Sequence, residues 1–197
     1  MKHLLLPIIC ILMTNISSGR EFSVFSPDRN TEVLISTDLK IGIIARYKSH
    51  ELFTLEDISL DIEGKDFSSG INKIRKVETN SISRKIHPPI REKYSEINDE
   101  FNELILRFRG DYSFTVRVYN EGFAYRFQTV FLDSLTVNRE NLSIRFGAKD
   151  SLWYQNSATF NSSYETPYQF NAVREISPKG YCCLPALVRK PNGMNVL

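Results

Sequence analysis

Histidine and cysteine are equally scarce in this chain, and the sequence contains a single tryptophan: 3 His, 3 Cys and 1 Trp in 197 residues. One cysteine, Cys10, lies in an apolar leader, and the other two, Cys182 and Cys183, are adjacent. Neighbouring residues rarely meet the Cα spacing and side-chain directions a disulfide needs, so no disulfide framework is indicated. The expectation for Cys182 and Cys183 is a pair of buried thiols in a strand. Beyond the leader only His50 and His87 remain, far apart in sequence, so no zinc cage can be written from Cys and His. Excess charge of either sign is also missing, with Lys+Arg 25 against Asp+Glu 23 and the basic residues scattered singly. Nucleic acid is therefore excluded as the expected partner. A nucleophile elbow, a P-loop and a dinucleotide fingerprint are all absent.

An apolar run long enough to cross a bilayer is lacking too. Leu4 to Met13 is apolar apart from Pro7, and it stops at Thr14-Asn15 after ten positions, whereas a spanning helix needs roughly 18–20. Lys2 and His3 precede the run, and Ser17, Ser18 and Gly19 follow it as small residues suited to cleavage. Residues 1–19 read as a secretory signal peptide, which makes the protein an exported one, periplasmic or secreted.

What is present is strand after strand. Thr31–Thr37, Lys40–Tyr47, Phe101–Phe108 and Ser113–Tyr119 are rich in β-branched and aromatic residues and alternate with period two. Turn chemistry separates them at Ser26-Pro-Asp-Arg-Asn30, Arg109-Gly-Asp111 and Asn120-Glu-Gly122, where Gly122 can supply a positive φ. Tyr94–Glu100 admits either one helical turn or the start of a strand. From Leu152 onward aromatics stand among Asn, Ser and Thr, and the pattern reads as a long ordered loop. Leu184–Arg189 is a strand, Pro191-Asn-Gly193 a turn, and Met194–Leu197 the beginning of the next strand. Residues 20–197 are expected to form one all-β domain, a sandwich or a barrel, and the stop in mid-strand reads as the front portion of something longer.

Chemistry is sparse. Neither His50 nor His87 lies in a triad-like context, and the acidic cluster Glu96, Asp99 and Glu100 reads as a solvated face. Glu165 differs, because Ser163-Tyr-Glu-Thr-Pro-Tyr168 surrounds it with aromatics in a setting where a carboxylate can serve a ligand or a hard cation. Trp153, Tyr154, Tyr164 and Tyr168 could form a sugar-stacking platform or belong to the core. No catalytic residue is assigned.

These motifs together resemble a known family. Phe25-Ser-Pro-Asp-Arg-Asn30 with Glu32–Ser36 is similar to the opening of the N-terminal domain of glycoside hydrolase family 97, and Tyr119-Asn-Glu-Gly-Phe-Ala-Tyr-Arg-Phe127 resembles its strand-turn-strand signature. Asn102–Leu106, Trp153, Tyr164–Tyr168 and Leu184–Val188 follow in the family's order. The resemblance implies a large antiparallel β-sandwich, a galactose-mutarotase-like supersandwich incomplete here at its C-terminal end, packed on a catalytic (β/α)₈ barrel, in bacterial calcium-dependent α-glucosidases or α-galactosidases. It implies a non-catalytic role for this part, an oligo- or polysaccharide as the enzyme's substrate, and Glu165 as one carboxylate ligand of the calcium. The barrel is absent from this chain, and a complete domain of this kind is expected to continue past Leu197, so missing strands would leave an unpaired edge and an uncovered apolar face and marginal solubility is expected. Two alternatives stay open: a stand-alone exported glycan-binding sandwich, and a degenerate gene remnant.

Overall fold

The computed structural model describes residues 20–38, 40–65, 74–163, 165–177 and 179–197. The leader at residues 1–19 and the candidate Tyr164 lie outside the described residues.

Thirteen strands and one 3₁₀ turn make three antiparallel sheets among the described residues. The first runs β1 (Glu21–Phe25), β2 (Thr31–Thr37), β3 (Ile41–Tyr47), β4 (His50–Ile62) and then β9 (Val137–Arg145). The second is β5 (Ile74–Ile86), β6 (Ile97–Phe108), β7 (Tyr112–Tyr119) and β8 (Gly122–Thr129), in chain order. The third has the order β11 (Tyr168–Ala172), β10 (Ser151–Ser157), β12 (Tyr181–Arg189), β13 (Asn195–Val196).

Alternation decides which faces meet. In β2 and β3 every second residue is buried, Val33 and Ile35 then Ile41, Ile43 and Ala45, so one face of the first sheet is continuously apolar. The second sheet answers with Leu104, Leu106, Phe114, Val116 and Val118, and the two sets form one core. Polar stitches fix the register at one end of this sandwich. The Asn102 amide donates to the Phe25 carbonyl at 2.8 Å, and the Asp28 N–H donates to Asn120 Oδ1 at 3.0 Å. Five strands face four, and Ile144 of β9, paired with buried Leu55, stays half exposed.

The turns show which residues carry left-handed backbone. Gly110 and Asp111 have φ of 107° and 64° between β6 and β7, and Lys48 and Ser49 have φ of 48° and 68° between β3 and β4. Gly122 does not adopt a positive φ, contrary to expectation: it pairs with Tyr119 as the first residue of β8, leaving Asn120 and Glu121 to make the reversal. Tyr94–Glu100 resolves as strand entry, with β6 starting at Ile97. Its carboxylates pair across to β5, Glu96 with Lys85 at 2.6 Å and Asp99 with Arg84 at 2.8 Å.

The third sheet corrects the reading of a long loop after Leu152. Residues 151–157 and 168–172 are strands. Its own small core consists of Leu152, Tyr154 and Val188, with Phe146, Val173, Ile176, Ala186 and Val196 packed around them. Lys190 anchors this sheet to the sandwich: its ammonium donates to the β4 carbonyl of Leu52 and lies 2.7 Å from Asp150 Oδ2. The cysteines lie in β12 as expected for a strand, but Cys182 is exposed and Cys183 only half-buried. Partial burial, and then the neighbouring Cys183, push the Cys182 thiol above its ordinary pKa.

Tyr125 of β8 reports on closure of the sandwich. Its hydroxyl donates to Glu140 Oε1 of β9 at 3.2 Å, and burial followed by the Glu140 charge pushes its pKa up to about 12. A raised folded value stabilises the protonated form, so this contribution is complete below the ordinary value of 10.0 and is lost as pH climbs toward 12. Ultraviolet titration should show a tyrosine step near pH 12. Glu140→Gln, which removes the charge, should lower that step while burial, the larger cause, keeps it above 10.0.

Candidate functional site

The third sheet carries the aromatic residues singled out in the sequence, and its pleat sorts them. Neighbours along a strand point to opposite faces. Tyr154 therefore points inward, 4% exposed, its hydroxyl accepting from Asn171 Nδ2 at 3.3 Å. Trp153 points outward and is 40% exposed.

Cross-strand pairing sets Phe170 of β11 on one side of Trp153 and Leu187 of β12 on the other. The Trp153 and Phe170 rings lie 4.7 Å apart between centroids with planes inclined at 32°. Tyr168, two residues before Phe170 on the same face, is 47% exposed and donates its hydroxyl to the Pro185 carbonyl at 3.2 Å. The structure thus brings Trp153 and Tyr168 onto one outer face, adds Phe170 and Leu187, and sends Tyr154 to the small core. A platform containing both Trp153 and Tyr154 would require adjacent strand residues to share a face, which the pleat forbids.

Glu165 is exposed in the β10–β11 connection. Its neighbour Thr166 ties the loop to the sheet: the Thr166 carbonyl accepts from Gln155 Nε2 at 2.6 Å, and its hydroxyl donates to the Asn156 carbonyl at 3.3 Å. Among the described residues no group of three or more His, Cys, Asp and Glu side chains is placed to hold a metal ion. Calcium takes about 6–8 oxygen ligands, so the described residues do not by themselves fit one, and Glu165 can contribute a single carboxylate at most.

The other ionisable groups singled out in the sequence lie elsewhere in the fold. His50 opens β4 of the first sheet, while His87 lies in the exposed β5–β6 connection. Glu103 is buried on the outer face of the second sheet, held by Arg117 Nε at 2.6 Å and Asn80 Nδ2 at 3.1 Å. Arg117 also covers the Phe101 ring at 4.4 Å. Nothing in that cluster opens to a substrate.

The model of the glycosyl-hydrolase 97 N-terminal family matches residues 24–197. The chain belongs to this family. Among curated proteins, the retaining alpha-galactosidase of Bacteroides thetaiotaomicron is 24% identical over 207 residues, a match covering 100% of this chain and 31% of the relative. Among solved structures, a glycoside hydrolase family 97 enzyme from Pseudoalteromonas sp. strain K8 in complex with acarbose superposes with a TM-score of 0.73 at 18% identity, covering 88% of this chain and 27% of that one. A β-arabinopyranosidase superposes with a TM-score of 0.73 at 20% identity, over 86% of this chain and 30% of the other. The family 97 N-terminal domain described here therefore spans less than a third of the length of each of these relatives. The structural likenesses carry the fold, an antiparallel β-sandwich of the family 97 N-terminal kind.

Proposed function

We propose that this domain is the exported, non-catalytic front part of a family 97-type α-glycosidase, acting on an oligo- or polysaccharide through a catalytic barrel that the chain does not contain. The observation that carries this reading is the match of the N-terminal family model to residues 24–197, while the chain spans only 31% of a curated glycosidase. The leader pattern at residues 1–19 supports export. In this role the sandwich is a rigid support, and Glu165 offers one oxygen ligand to a calcium completed by residues from outside the chain. A glycan-binding sandwich is the second reading, favoured by the exposure of Trp153 and Tyr168 on one face.

The test is hydrolysis of p-nitrophenyl α-glucoside and α-galactoside, with and without calcium. The purified chain is expected to show no turnover above the uncatalysed rate, whereas the polypeptide translated from the full gene is expected to hydrolyse one of them. Turnover by the chain alone would place catalytic carboxylates inside the sandwich and overturn the reading.

A further inference from the structure

We infer that the free edge of β5 is the seat for a second copy of this chain, whose own β5 adds to it antiparallel and joins the two second sheets into one across a two-fold axis. The inference stands apart from the glycosidase reading. β5 runs from Ile74 to Ile86 at the end of the order β5-β6-β7-β8, and its ladder partners all lie on β6. Among the described residues no strand, turn or loop bonds to its other edge. Such an edge presents a row of N–H and C=O groups that another strand can take up.

The usual protections of an edge are thin here. β5 contains neither proline nor glycine, and the irregularity in its ladder, between Ile74 and Lys76, lies at its start. Its cations stand toward the ends, Arg75 and Lys76 then Arg84 and Lys85, and between them Val77-Glu-Thr-Asn-Ser-Ile-Ser83 carries a single charged residue. Charge then selects the register. Residues facing each other across two strands must point to the same side of the sheet, so two copies of β5 meet about a residue that opposes itself. Centring on Asn80 sets Lys76 against Arg84 of the other copy and Arg75 against Lys85, like charge on like. Centring on Thr79 or Ile82 makes no ion pair. Centring on Ser81 sets Glu78 against Arg84 of the other copy and Thr79 against Ser83, each twice by symmetry, over residues 76–86 of both chains. On the outer face Arg107 Nε lies 2.6 Å from Glu78 Oε1 and Arg84 Nε 2.8 Å from Asp99 Oδ2. The seam thus completes a row of alternating charge: Arg107 and Glu78 of one copy, then Arg84 and Asp99 of the other. An interface of this kind is self-complementary and closes at two copies.

The test combines size with cross-linking. Light scattering after size-exclusion chromatography is expected to give the purified chain twice its monomer mass. Thr79→Lys together with Ser83→Lys sets like charge against like in this register and should weaken the association at least about tenfold. Both positions are exposed, so the thermal midpoint at a concentration where the parent chain is monomeric should not move. The register is read from single cysteines in a Cys182→Ser, Cys183→Ser background, oxidised with copper phenanthroline. Ser81→Cys opposes itself across the axis and should cross-link at least about tenfold faster than Thr79→Cys or Asn80→Cys, because a disulfide tolerates a narrow range of Cα separations. A monomer at every concentration, or equal cross-linking rates from the three positions, would overturn the inference. A dimer that the two lysines leave intact would overturn it as well, by placing the contact away from β5.

Discussion

Replacing Lys190 with alanine is expected to destabilise the protein by about 3–5 kcal/mol, the usual cost of leaving one partner of a buried ion pair alone. Asp150 is 2% exposed, and its Oδ2 accepts from both Lys190 Nζ at 2.7 Å and the Gly147 N–H at 2.8 Å. The Asp150 backbone is committed as well, its carbonyl accepting from the Val173 N–H at 3.0 Å. Without the ammonium, the carboxylate is left buried with one backbone donor, and the Leu52 carbonyl loses its link to the third sheet. The loss should therefore be concentrated there, with the third sheet exchanging amide hydrogens faster than the sandwich. Urea unfolding of Lys190→Ala measures the total. Pairing Lys190→Met with Asp150→Asn removes both charges together and should recover much of the loss. A cost under about 1 kcal/mol, the range of surface pairs, would show that Lys190 does not anchor the sheet.

Phe114→Ala is expected to cost about 3–5 kcal/mol through the cavity it leaves. The residue is 0% exposed in the middle of β7, with the Tyr125 and Phe127 rings 5.3 Å and 5.1 Å from its own, in the core that joins the first two sheets. Neighbouring strands cannot close the gap without giving up their ladder with β7. As a control, Arg145→Ala removes an exposed ion pair with Glu56 and should cost less than about 1 kcal/mol. A similar loss from both substitutions, read from thermal or urea midpoints, would contradict the core assignment.

The sandwich was legible in the sequence because its strands are half-buried and alternate. Thr31–Thr37 and Lys40–Tyr47 announce themselves through Val33, Ile35, Ile41 and Ile43, and the structure pairs them residue for residue. In the third sheet β10 and β11 hide because they are rich in Gln, Asn and Ser and leave one face exposed, so burial does not enforce a clean pattern, whereas Leu184–Arg189 of β12 reads as a strand. Reading Leu152–Ser157 as a loop also removed the pleat from consideration, and with it the reason Trp153 and Tyr154 must part. The placing of Phe170 and Leu187 beside Trp153 is illegible in the sequence for a different reason. They join Trp153 through cross-strand register, which links residues 17 and 34 positions away, and no local pattern encodes that. Gly122 was a fair candidate for positive φ by residue type, but the reversal fell to the two residues before it.

The most direct test of the central claim, that this chain is the sandwich part of a longer glycosidase, is to sequence its gene past the codon for Leu197. The account predicts an open frame that continues into alternating strands and helices, with acidic residues at strand ends as a (β/α)₈ active site requires. A stop codon directly after Leu197, with no barrel in any forward frame, would contradict it.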